Sequence, residues 1–272
     1  MTAREPAAGR LDTRPWLGPI VAVLAIVPGA FGAYLFLAPE ASARAFGLVG
    51  TDIFLYRLAG AASFGYLASL VAEWRGGWPA LRITIAGMPI FAIGSILAAA
   101  VALVTGEGGW IVGAVFVASV VLLGLELVLL TNPPGPDRAS TNGPDIADWV
   151  TYLFAFGAIA ALGTGSVALL LGGAGGKLLA GYSGTDSIIY REAGAATLAA
   201  AYGAYLALRS RRWAEIGRGT WGALAFNGLS LIAAVLEIAR GNGGLNLLSV
   251  AVLAVSLVVT VGLALAMARG GR

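Results

Sequence analysis

The chain of 272 residues contains no cysteine and no histidine. Without cysteine there can be no disulfide, thiol redox pair or thiolate metal site. Without histidine there is no imidazole ligand for haem, copper or zinc, and no imidazole general base. Charge is scarce as well. Asp, Glu, Lys and Arg make up 11% of the residues, against roughly 25% in a soluble domain. So few charges cannot cover the surface of a water-soluble domain of this size. Hydrophobic residues account for 58% of the chain, and these proportions describe an integral membrane protein.

The apolar residues fall into eight runs, each near the roughly 20 residues that a helix needs to cross hydrocarbon. They lie at about 16–38, 52–73, 81–104, 110–131, 149–171, 187–208, 219–239 and 245–268. The runs are continuously apolar rather than alternating, which argues against a transmembrane β-barrel. The expected fold is therefore all-α, a polytopic protein of eight transmembrane helices. Forty glycines, many inside the runs, suit close approach of helices in a membrane.

The basic residues orient the chain. With the N-terminus in the cytoplasm, Arg4, Arg10, Arg14, Arg75, Arg82, Arg138, Arg209, Arg211, Arg212, Arg218, Arg269 and Arg272 fall inside. Only Arg44, Lys177 and Arg240 fall outside, while Arg57 and Arg191 lie within runs. This positive-inside pattern predicts a multi-pass protein of the cell (inner) membrane with both termini cytoplasmic. It also accounts for the pI near 9.4 without a nucleic-acid partner. All seven tryptophans (16, 74, 78, 110, 149, 213 and 221) sit at run ends or in short loops, where an interfacial aromatic belt belongs. Arg4, Arg10 and Arg14 precede an apolar run, and Ala41-Ser42-Ala43 imitates a signal-peptidase site. The run is too long for a signal-peptide core of about 7–15 residues, so an uncleaved first helix is expected.

The most informative feature is self-similarity. Residues 47–62 read GLVGTDIFLYRLAGAA and residues 181–196 read GYSGTDSIIYREAGAA, matching at ten of sixteen positions with an offset of 134. Gly29 aligns with Gly163 in the same frame, and Gly106-Glu107-Gly108-Gly109 aligns with Gly241-Asn242-Gly243-Gly244 at an offset of 135. Two copies of a four-helix unit are therefore expected, over 16–131 and 149–268, with cytoplasmic segments at 1–15, 132–148 and 269–272. Four is even, so the copies run parallel and form a pseudo-dimer. The 132–148 segment, with its prolines, glycines and polar residues, is the linker.

The repeated motif has two readings. Thr51-Asp52 and Thr185-Asp186 stand where helix N-caps are expected. Asp52, Tyr56 and Gly60 share one helix face, as do Asp186, Tyr190 and Gly194. In the structural reading the aspartates cap, the tyrosines anchor at the interface, Arg57 and Arg191 snorkel to headgroups, and Gly60 and Gly194 let helices pack closely. In the other reading the two guanidiniums face one cleft and hold a carboxylate, a phosphate headgroup or a quinone carbonyl. Asp52, Asp186 and Glu192 are near enough in sequence to neutralise both arginines instead. Glu126 and Glu237 are not duplicated. Each lies within about two turns of a run end, so each either snorkels or acts as a titrating carboxylate. Glu73 with Arg75 reads as ordinary interface, and Asn227 as an inter-helix hydrogen bond. Gly172–Lys177 lacks the spacing and the strand-to-helix context of a phosphate loop.

The four-helix unit has a glycine-rich first helix, a short outer loop, and an arginine followed by small residues early in its second helix. On Gly29, Gly32, Gly47, Tyr56, Arg57 and Gly60, and on Gly163, Gly181, Tyr190, Arg191 and Gly194, it resembles the DoxX-like membrane superfamily in tandem duplication. That resemblance implies a membrane-embedded subunit that interacts with quinone or lipid. No metal or other cofactor is evident in the residues. The expected role is a non-enzymatic membrane subunit or lipid/quinone-binding scaffold, with membrane lipids and membrane proteins as partners. Two alternatives are a small-solute transporter with a site between the copies and a subunit of a quinone-linked oxidoreductase.

Overall fold

The computed structural model describes residues 15–50, 52–135, 145–181, 186–240 and 245–272. Thr51, Thr185 and 241–244 of the repeated segments lie outside them. The described chain is helical, and the helices are α1 (Leu17–Leu37), α2 (Pro39–Phe46), α3 (Ile53–Trp74), α4 (Trp78–Thr105), α5 (Ile111–Thr131), α6 (Asp148–Leu171), α7 (Gly173–Ala180), α8 (Ser187–Ser210), α9 (Trp213–Ile216), α10 (Thr220–Ala239) and α11 (Leu247–Ala268). Among these, α1, α3, α4, α5, α6, α10 and α11 are long and apolar enough to cross a membrane. The protein is a multi-pass membrane protein on that ground.

Helix α8 occupies the remaining expected run. It is 24 residues long, but it is rich in alanine and carries Arg191, Glu192 and Arg209. Its lower apolarity matches its position, because most of its first half is buried against other helices. Three short helices, α2, α7 and α9, were not legible as apolar runs. Helices α2 and α7 follow α1 and α6 almost without a break, each eight residues long and ending on a glycine with positive φ. The tryptophans sit at helix ends, with Trp16 and Trp110 at N-cap positions and Trp74 closing α3.

Chain order and packing order differ. Helix α1 packs along α3, and α6 along α8. Helix α4 follows α3 after three residues but makes little contact with it and lies instead along α8. Helix α10 correspondingly lies along α3, while α5 covers α4 and α11 covers α10. Helices α3 and α8 also touch each other. Helices of the N-terminal and C-terminal halves of the chain therefore interleave.

Small residues permit these crossings. A Cβ added at Gly32 would stand 2.7 Å from the carbonyl oxygen of Gly60, and one added at Gly60 would stand 2.7 Å from the amide nitrogen of Phe36. The α1 and α3 backbones are thus in direct contact. Gly194 meets the carbonyl of Gly165 at 2.8 Å by the same construction, which brings α6 equally close to α8. In lipid, where burial of apolar surface gives no drive between helices, this dispersion contact is a main source of association. The end of the linker is tied down by the amide of Ile146, which donates to the carbonyl of Arg211 at 2.9 Å.

Gly60→Ala is expected to destabilise the fold by about 1–3 kcal/mol, because the backbone it meets cannot yield as a side chain can. Gly124→Ala, whose Cβ meets nothing within 4 Å, should change stability by less than about 0.5 kcal/mol. Unfolding in mild detergent would measure both, and equal effects would refute the close-packing account.

Candidate functional site

Two features meet at the centre of the molecule: a polar junction where α3 and α8 begin, and a long cavity between the helices beyond it.

The junction is built by the repeated motif. Asp186 occupies the N-cap position of α8, yet its carboxylate does not cap that helix. It reaches the loop before α3, where it accepts hydrogen bonds from the amides of Val49 at 2.9 Å and Gly50 at 2.7 Å. It also accepts one from the hydroxyl of Tyr56 at 2.9 Å. Asp52, the N-cap residue of α3, likewise makes no capping bond and lies near Tyr190 and Asp186. One copy of the motif therefore supplies the partner of the other, Asp186 serving Tyr56. Asp52, Tyr56, Asp186 and Tyr190 are all buried. The expected capping role is corrected here, because neither aspartate caps its helix and Asp186 instead bridges α8 to α3.

The arginines go elsewhere. Arg191 pairs with Glu107, in the turn after α4, at 3.4 Å. Arg57 lies among Glu237 and Arg240 at the end of α10 and Glu40 of α2, and Arg240 pairs with Glu40 at 3.7 Å. Each arginine thus faces the end of the helix that crosses over from the other copy. The structure does not bring them together over one cleft. Asp186 is engaged by Tyr56 and Glu192 accepts from Ser95 at 2.7 Å, so neither serves as the arginine counter-ion. Glu126 is 1% exposed and does not snorkel, whereas Glu237 remains half-buried beside Arg57. Gly60 and Gly194 sit at helix contacts, as expected of them.

The cavity encloses about 320 Å³, within the roughly 300–1,000 Å³ range of ligand pockets. Helix α3 lines it with Leu55, Leu58, Ala62, Gly65, Tyr66, Ser69 and Glu73, one stripe at helical spacing. At 1.5 Å per residue the stripe is about 27 Å long, close to the thickness of a hydrocarbon core. Helix α8 adds Tyr190 and a row that includes Ala196, Ala200, Gly203 and Ala204, and α4, α6, α7, α10 and α11 close the rest. The wall is mostly small and apolar. Of the residues singled out in the repeated motif, only Tyr190 lines it.

Glu73 also lines the cavity, although the sequence placed it at an ordinary interface. It is 1% exposed. One carboxylate oxygen accepts from Thr84 at 2.9 Å, and the other is buried with no hydrogen-bond partner. The signal available in the sequence was its register, four residues after Ser69 and seven after Tyr66 on the small-residue face of α3. Among the described residues no group of three or more metal-ligating side chains converges.

Comparison of the chain with known proteins finds no matching family model, no matching curated protein and no matching solved structure.

Tyr56→Phe is expected to cost about 1.5–3 kcal/mol, the range for hydrogen bonds to charged groups. Combined with Asp186→Ala in a double-mutant cycle, it should show a coupling above about 1 kcal/mol. Tyr152→Phe, at a position 72% exposed, should be neutral. Additive effects of the first two substitutions would mean that the junction contributes nothing through this bond.

Proposed function

We propose that the protein is an eight-span inner-membrane protein of two interlocked parallel copies, and that it holds a hydrophobic, membrane-derived molecule in its central cavity. The carrying observation is the cavity itself, which is long, apolar and walled by helices from both copies. The hydrocarbon chain of a lipid or the isoprenoid tail of a quinone has the matching shape and apolarity; which head group fits is a separate question. This is also the ligand class implied by the resemblance to the DoxX-like superfamily.

Helix boundaries support the two-copy reading. Helices α2 and α7 begin and end 134 residues apart, α3 and α8 begin 134 apart, and α4 and α10 end 134 apart. The same frame shows where the two halves differ along the cavity. Leu70 of the first copy corresponds to Ala204 of the second, and Tyr66 corresponds to Ala200. Leu70 belongs to a core of large side chains that includes Leu24, Leu81, Met88 and Leu129. The alanines of α8 line the cavity.

A second reading, passage of a solute between the copies, is favoured by the cavity's extent along almost all of α3. A role as a membrane subunit of a quinone-linked oxidoreductase uses the same cavity, with the redox centre supplied by a partner protein.

Native mass spectrometry of the protein released from lipid nanodiscs tests the cavity. Wild type should retain a stoichiometric lipid or quinone. Gly203→Phe, which projects a side chain where nothing lies within 4 Å, should lose it. Arg57→Ala combined with Arg191→Ala should keep it. Loss in the arginine variant together with retention in Gly203→Phe would move the site to the ion pairs. Topology can be checked on the naturally cysteine-free chain. Lys177→Cys should react with an impermeant maleimide from outside, and Ala214→Cys only after permeabilisation, while reversed labelling would overturn the orientation.

A further inference from the structure

We propose that Glu73 is the polar anchor of the cavity and that it selects a single-chain amphiphile with a cationic, hydrogen-bond-donating head, a long-chain ammonium. The proposal rests on the cavity being a ligand site and goes further by naming the head that fits it.

The hydrogen-bond inventory of the wall decides the class. At the Glu73 end the hydroxyls have already given their protons away. Ser69 donates to the carbonyl of Gly219 at 3.3 Å, Thr84 donates to Glu73 itself, and Thr220 donates to the carbonyl of Gly217 at 2.6 Å. Further along, the side-chain amide of Asn227 donates to the carbonyl of Ala223 at 2.8 Å. Ser230, whose hydroxyl is buried without a partner, stands about 16 Å along α10 from Gly219. The end of the cavity near Glu73 therefore offers acceptors and few donors.

Against an ionised Glu73, an oxidised quinone or a fatty acid carboxylate brings only acceptors to that wall and leaves a buried carboxylate oxygen without a donor. Such an arrangement is costly in an apolar surround. An ammonium supplies both the donor and the compensating charge. The protein's own cations do not fill this role. Arg82 pairs with Glu215 at 3.6 Å, and Arg75 and Arg218 are exposed. A volume of about 320 Å³ drawn out along α3 suits one hydrocarbon chain rather than two.

The test offers dodecylammonium, dodecanol and dodecanoate at equal concentration to the full-length protein in phosphatidylcholine nanodiscs, with retention read by native mass spectrometry. Wild type should retain the ammonium about tenfold over the carboxylate. Glu73→Gln, which keeps an acceptor for Thr84, should abolish that preference while dodecanol is still retained. Gly203→Phe should lose all three. If wild type retains the three alike or prefers dodecanoate, or if the preference survives in Glu73→Gln, the anchor is refuted and the cavity reading stands. If wild type retains none, and Gly203→Phe behaves identically, the cavity reading fails and the anchor with it. The preference of wild type is decisive even if a variant does not fold.

Discussion

The bonds that Asp186, at the start of α8, accepts from Tyr56 and the loop before α3 are the constraint on which the other contacts depend. A carboxylate buried in an apolar surround is costly unless its lone pairs meet donors. Asp186 meets two backbone amides and a phenol, all from the other half of the chain. These bonds fix where α8 begins relative to α3. Once those two helices stand together, α4 and α10 cannot both remain beside their own sequence neighbours. Helix α4 lies along α8 and α10 along α3, with α1 on α3, α6 on α8, α5 on α4 and α11 on α10. The motif is therefore an architectural element as much as a chemical one.

Small residues serve two purposes that pull against each other. At Gly32, Gly60, Gly165 and Gly194 they are used up in backbone contact, so the space a side chain would take is filled by another helix. Along α8 at Ala200, Gly203 and Ala204 the same residue types face no such partner and leave a void. Interiors are normally packed to the density of organic crystals, so a cavity of this length in an otherwise tight bundle is the main departure from simple packing.

Charge in the apolar part of the chain follows a consistent rule. Groups near helix ends pair with charges across the crossover, as Arg191 does with Glu107 and Arg240 with Glu40. Groups deeper in the bundle are carboxylates held by a single hydroxyl, as Glu192 is by Ser95 and Glu73 by Thr84. Glu192 and Glu73 each keep one oxygen unpartnered, and so does Glu126. Only Glu73 of these three also opens onto the cavity, which sets it apart as the residue with a chemical task still to fill.

The positions of the long helices were legible because hydrophobic length is a local property. Each apolar run must cover the hydrocarbon core whatever its neighbours are, and the observed helix ends fall within a few residues of the run ends. The repeat was legible because identity at a fixed offset needs no folding. Partner choice was not. Asp52 and Asp186 look like caps to local rules, and nothing local reveals that for Asp186 a tyrosine some 130 residues away is closer at hand. The arginines look paired with each other or with adjacent acids for the same reason. Burial of Glu73 and Glu126 depends on which neighbouring helix covers that face, and the crossover of α4 and α10 decides this. Length, apolarity and the motif thus follow from the sequence by itself, while interleaving, counter-ion choice and the cavity arise only when helices distant in the chain compete for the same grooves.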